Sequence, residues 1–175
     1  MDRFARVVLG YHGCEPEFAD ALIAGELPVS EWKPSENPFD WLGRGIYFWE
    51  YAPERAKAWG KGGVVGALIQ LGKCLDLTDT GYTMLLKGAY HSLQQIRLAT
   101  GEPMPKNKGK RRDLDCLIIN ELFAYADRDG MTFQSVRCPF LEGEPAFPGS
   151  AILQESHIQI AVRDPACIVG VFRPT

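Results

Sequence analysis

The sequence is short of several things, and each shortage removes a class of explanation. No stretch approaches the roughly 18 apolar residues of a membrane span, and the first residues hold no basic segment followed by an apolar run, so neither a span nor a secretory leader is expected. Charge of one sign is not in excess: 19 Lys and Arg face 22 Asp and Glu, a formal net charge of -3. A nucleic-acid or membrane partner would need a local patch, because there is no global field to attract it. Histidine is scarce, with His12, His91 and His157 only, and none stands at metal-ligand spacing from a cysteine, so no metal is expected. The five cysteines, Cys14, Cys74, Cys116, Cys138 and Cys167, are odd in number, scattered and never in a CxxC pair. That usage fits reduced thiols and a cytoplasmic location, with export of an effector lacking a recognisable signal left open. Internal repeats and low-complexity segments are absent.

What is present reads as one domain over residues 1–175, with 46% apolar and 23% charged residues and a full core. Arg6 to Tyr11 (RVVLGY) is β-branched and apolar, a buried strand ending at His12-Gly13. Pro16 opens a helix with Phe18, Ala19, Leu22 and Ile23 at spacing four, closed by Gly25. Residues 26–43 carry Pro28, Pro34 and Pro38 and read as a long loop, the kind usually kept for function. Val64 to Leu71 is another strand. Leu85, Ala89, Leu93 and Ile96 mark a helix from Asp79 to Ala99, and Leu114, Leu117, Ile118, Leu122 and Tyr125 mark a second one capped by Asp113. Strands are expected again over Met131–Arg137, Ile158–Arg163 and Cys167–Phe172, with a Pro- and Gly-rich loop starting at Cys138. Strands at both ends with helices between them predict an α+β domain, largely antiparallel.

The stretch FDWLGRGIYFWEYAPERAKAW, Phe39 to Trp59, is the most informative. Gly43-Arg44-Gly45 precedes an apolar strand in which Tyr47 and Trp49 alternate with Ile46 and Phe48, and Pro53 then opens a short helix. Glycines that permit close approach, followed by an aromatic ring, suit the floor of a cleft for a flat ligand.

Taken in order, Tyr11-His12-Gly13, Gly45-Ile46-Tyr47-Phe48 and Ser156-His157-Ile158-Gln159-Ile160-Ala161-Val162 resemble the ADP-ribosyltransferase superfamily, in its diphtheria-toxin-like and poly(ADP-ribose)-polymerase-like branch. The resemblance implies a split antiparallel β-sheet with helices between and flanking the strands, NAD as co-substrate, and no metal. It implies that His12 donates to a ribose hydroxyl, that Gly13 binds the nicotinamide carboxamide through its backbone, and that Tyr47 stacks on the nicotinamide or supports its ribose. Gln159 stands where many relatives carry Glu, which points away from polymer formation and towards transfer of a single ADP-ribose, an unusual acceptor or a weakened enzyme; Glu142, Glu144 and Glu155 remain open as sources of the missing carboxylate. Arg44 would meet the pyrophosphate, Gly45 would let the donor approach, and Trp49 would line the NAD site. Toxins and defence effectors are the implied company, with an inhibitory antitoxin as partner.

Rival readings are NAD hydrolysis and an inactive module that binds NAD or ADP-ribose. A Cys14–His12 nucleophile pair ranks below them, since nothing orients the histidine. Lys106 to Arg112 holds five cations in seven residues, including Lys108, Lys110, Arg111 and Arg112. Cations before a helix do not stabilise it, so this run is a candidate contact for a nucleic-acid or acidic protein acceptor, although no aromatics interleave it.

Overall fold

The computed structural model describes residues 6–175; the first five residues of the expected domain lie outside it. In chain order the elements are β1 (Val7–Cys14), α1 (Pro16–Ala24), β2 (Ile46–Glu50), α2 (Pro53–Trp59), β3 (Gly63–Gln70), β4 (Cys74–Asp76), α3 (Thr80–Thr100), α4 (Asp113–Arg128), β5 (Ser135–Phe140), β6 (His157–Val162) and β7 (Ile168–Phe172). The α+β class and the mainly antiparallel pairing follow the sequence reading. Among the described residues the strands form a seven-stranded mixed sheet in the order β4-β5-β6-β2-β1-β3-β7, in which only β4 and β5 run parallel.

Register shows where this sheet is weakest. β1 pairs with β3 along its whole length, from Val7↔Gln70 to Cys14↔Gly63. Against β2 it pairs only at Gly10↔Glu50 and Tyr11↔Trp49. Past Tyr11 the two strands part, and the sheet opens between His12 and Tyr47. Strand β1 therefore does not stop at His12-Gly13 as expected, because β3 supplies a ladder through Cys14.

Neighbouring residues of β6 assign the two faces. Ile160 and Val162 join Val8, Phe48, Val65 and Ile69 under α1, which contributes Ala19 and Leu22. Ala161 joins Leu75, Val136, Ile119 and Phe123 under α4 on the opposite face. Each such side chain contributes about 1.5–3 kcal/mol by leaving water. Helix α4 is buried on two sides, which the stripe read from the sequence blurs. Its Ile119, Phe123 and Ala126 face the sheet, whereas Leu114, Leu117, Ile118 and Leu122 meet Ala89 and Leu93 of α3.

Two boundaries differ from expectation for local reasons. Residues 131–134 are not strand; β5 instead runs on through Cys138, Pro139 and Phe140, paired with β6. Proline is tolerated there because β4 pairs only Ser135 to Arg137, leaving the other side of Pro139 without a ladder. At the start of α4 Asp113 is already helical and does not cap it. The cap comes from Asn107 in the cationic loop, whose Oδ1 accepts from the N–H groups of Leu114 (3.0 Å) and Asp115 (3.2 Å).

A charged network crosses the α1-side face. Arg137 of β5 grips Glu50 of β2 with Nε and Nη2, and its Nη1 donates to Asp76 of β4 at 3.3 Å. Arg6 holds the other oxygen of Asp76 at 2.7 Å. Burial opposes ionisation of Asp76, but hydrogen bonds from Thr78 and Arg6 and the charge of Arg137 outweigh it, holding the carboxyl below its ordinary value. A depressed folded-state pKa means that this contribution is present above the ordinary carboxylate pKa of about 4 and is lost as pH falls through the folded value. Acid titration of stability should therefore show a limb below pH ~4 that Asp76→Asn removes; an unchanged limb would clear Asp76 of the effect.

Candidate functional site

On the α4-side face, β2, β6, α2 and the loops at 35–41, 110–111 and 142–155 enclose a cleft of about 610 Å³. Strand alternation sends Tyr47 and Trp49 to this face and Ile46 and Phe48 to the opposite one. Gln159 pairs with Trp49 in register, which puts it beside that ring. Tyr47, Trp49 and Gln159 thus share one cleft.

Tyr47 is tied down at its far end. Its hydroxyl donates to Gly43 O (2.6 Å) and accepts from Leu42 N–H (2.8 Å). The turn that offers these groups requires Gly43: its φ is +72°, and a Cβ there would lie 2.5 Å from Asn120 Oδ1. Burial pushes the phenol pKa up, against the lowering effect of the Leu42 N–H. The hydroxyl is neutral and occupied, so Tyr47 offers the cleft a ring face and no free acid.

Three atoms of the cleft wall lack partners among the described residues: Trp49 Nε1, Arg55 Nε and Gln159 Oε1, all buried. Each orphan costs about 1–3 kcal/mol, and folded chains leave few of them. Two donors and one acceptor of this kind, walled by aromatic rings, suit a planar ligand bearing an amide or similar polar edge. Trp59 stands over Trp49 with ring centroids 5.9 Å apart and is 70% exposed, forming a rim.

Arg55 organises the acidic side. Its Nη2 donates to Glu142 at 2.9 Å and its Nη1 to Glu155 at 3.1 Å. Both carboxylates line the cleft. Glu144 does not line it; its carbonyl accepts from Gln154 N–H within the loop. His157 donates from Nδ1 to Glu155 O (2.8 Å), and burial lowers its pKa. Arg55 was not singled out from sequence. Its position three and four residues before Ala58 and Trp59, which line the same cleft, is the signal that could have found it.

His12 lies elsewhere. It occupies the opening between β1 and β2, with Nδ1 2.7 Å from Tyr47 O and its ring edge-on to Trp32 at 4.9 Å. A carbonyl only accepts, so Nδ1 carries the proton; burial lowers the pKa and keeps the ring neutral. Nε2 is then an acceptor, so a hydroxyl meeting it would donate to His12, the reverse of the expected direction. His12 and Gly13 line a second cleft of about 560 Å³ with Trp32, Lys33 and Lys61. Trp59 lines both clefts. Burial and the neighbouring Glu15 raise the Cys14 pKa, which removes the thiolate that a Cys14–His12 pair would require.

Three other expected residues have structural employment. A Cβ on Gly13 would fall 2.2 Å from Ala56 O, so its smallness seats α2. Both backbone groups of Gly45 are bonded to Ser35. Arg44 pairs with Glu36 and borders a shallow hollow with Phe133 and Arg163, outside the two clefts. In its place Lys110 and Arg111 of the cationic run reach the large cleft.

No helix of the described residues is long and apolar enough to cross a membrane. Comparisons with protein-family models, curated proteins and solved structures return no match.

Proposed function

We propose that this protein is a NAD-dependent mono-ADP-ribosyltransferase with an ADP-ribosyltransferase-like split sheet, using Tyr47, Gln159 and His12. The observation that carries the reading is the union of Tyr47, Trp49 and Gln159, with three unpartnered buried polar atoms, in a cleft beside the opening where His12 meets Tyr47 O. A nicotinamide has a flat ring for Tyr47 and a carboxamide that both donates and accepts. Gln159 Oε1 can accept from it or from a ribose hydroxyl, while Trp49 Nε1 and Arg55 Nε can donate. The second cleft, lined by His12, Trp32 and Lys33, has room for the phosphate and adenosine half; its Lys61 is paired with Glu15, and Glu31 also lines it.

In the reaction the bond between nicotinamide and ribose breaks and nicotinamide leaves with the electron pair. The acceptor's nucleophile bonds to the freed ribose carbon, and its proton passes to a base. Positive charge grows on the ribose as that bond lengthens, so acceptor atoms held near it lower the barrier. Gln159 brings a dipole where a carboxylate would bring a charge; Glu142 and Glu155, held by Arg55, are the carboxylates on the wall able to take the proton.

Incubation with labelled NAD and cell extract tests this. The expected result is released nicotinamide with label on a macromolecule; free ADP-ribose alone would indicate hydrolysis, and no nicotinamide release would end both enzymatic readings. Gln159→Ala should slow release about 10²-fold or more. Gln159→Glu should shift the ratio of hydrolysis to transfer, and identical kinetics in all three proteins would remove Gln159 from the site.

A further inference from the structure

The cationic run is built into the wall of the large cleft, and this placement bears on the acceptor. Lys108 and Arg111 close a tight turn through reciprocal backbone hydrogen bonds, both 3.0 Å. Trp41 Nε1 donates to Lys110 O (2.8 Å), and Arg112 N–H donates to Phe39 O (3.3 Å). The Arg111 guanidinium lies 4.3 Å from the Phe39 ring and that of Arg112 4.6 Å from Trp41. Phe39, Trp41, Lys110 and Arg111 all line the cleft that holds the orphaned Gln159 Oε1 and Trp49 Nε1. Trp49 is only 6% exposed, so its unpartnered N–H is a buried donor on a ring that lines the same cleft.

Among the described residues Arg111 alone of the five cations has a carboxylate partner, Asp113. Lys106, Lys108 and Lys110 are exposed. Ordered cations at the start of α4 oppose its dipole, so helix stability does not explain them. On the opposite wall Arg55 pairs with both Glu142 and Glu155, which leaves one net negative charge there, and Asp40 lines the cleft as well. The unpaired positive charge therefore lies on the cationic run itself, whose exposed lysines at the edge of the cleft suit phosphate. Guanidinium planes laid on aromatic rings are also surfaces on which unpaired bases stack.

We propose that the acceptor is a single-stranded nucleic acid, its phosphates on Lys106, Lys108 and Lys110 and a base against the Arg111 and Arg112 planes. This rests on the transferase reading, but its test does not need NAD. Binding of a fluorescent single-stranded oligonucleotide is measured by anisotropy over a salt series, with polyglutamate of equal charge as the competing acidic polymer. The oligonucleotide should bind and polyglutamate should not displace it at equal charge. The combined change Lys106→Gln, Lys108→Gln and Lys110→Gln, at exposed sites, should flatten the log-affinity against log-salt slope by about 2. It should weaken binding more than tenfold at about 0.1 M salt, with circular dichroism unchanged. An unaltered slope, or polyglutamate binding as well as the oligonucleotide, overturns the inference. With labelled NAD added, label on protein instead of nucleic acid overturns it while leaving transfer standing. Salt-dependent binding without nicotinamide release leaves the surface standing and removes the transferase.

Discussion

Glu50→Ala is expected to destabilise the protein by about 3–5 kcal/mol, enough to unfold many domains of this size. Glu50 accepts two hydrogen bonds from Arg137, and the two side chains are only 8% and 13% exposed. Removing the carboxylate leaves Arg137 with the longer contact to Asp76 and a desolvated charge poorly matched. The pair also fastens β2 to β5 across β6, so its loss should loosen the strands that carry Tyr47 and Gln159. Chemical denaturation measures the effect. The double change Glu50→Leu with Arg137→Met should recover much of it, since apolar replacements of a whole buried pair are often neutral. A loss below about 1 kcal/mol in the single variant would class the pair with exposed ion pairs.

Tyr47 should separate stability from chemistry. Tyr47→Phe keeps the ring and leaves Leu42 N–H and Gly43 C=O without their partner, at a cost of about 1–3 kcal/mol. Tyr47→Ala also loses the ring, which packs against the cluster containing Leu42 and Ala161, for about 3–5 kcal/mol in all. That size matters for interpretation: an inactive alanine variant would be ambiguous because the turn at Leu42–Gly43 depends on the hydroxyl. Denaturation midpoints and nicotinamide release should be read together. The expected order is wild type, Phe, Ala in both, with the larger drop in release at the Ala step. If Phe abolished release at unchanged stability, the hydroxyl would be acting on the ligand and the ring-face role assigned here would be wrong.

Much of this architecture could be read from local pattern, because helix period, glycine stops and β-branched runs are local properties. The class, the helices and the facing of Tyr47, Trp49 and Gln159 belong to that part. Features set by distant neighbours could not be read in this way. Pro139 looked like loop until β6 paired with it, and the α4 stripe blurred because α3 covers its second side. The cationic run lacked interleaved aromatics in sequence; Phe39 and Trp41 arrive from a segment far earlier in the chain. His12 looked like a companion of Tyr47 in one pocket, whereas it bridges to the tyrosine's carbonyl and opens onto a neighbouring one. Gly13 and Gly45 suggested close ligand approach, but the seating of α2 and the approach of β6 make the same demand.

The strand order also has a consequence for how the chain comes into being. β6 follows both β2 and β5 in the sequence, yet lies between them in the sheet. A nascent chain that has not yet released β6 from the ribosome can complete the β1–β3 ladder but has no Gln159 beside Trp49 and no bridge from β2 to β5. Closing so long a loop is slow relative to local pairing. The large cleft is therefore assembled only once β6 has joined the sheet.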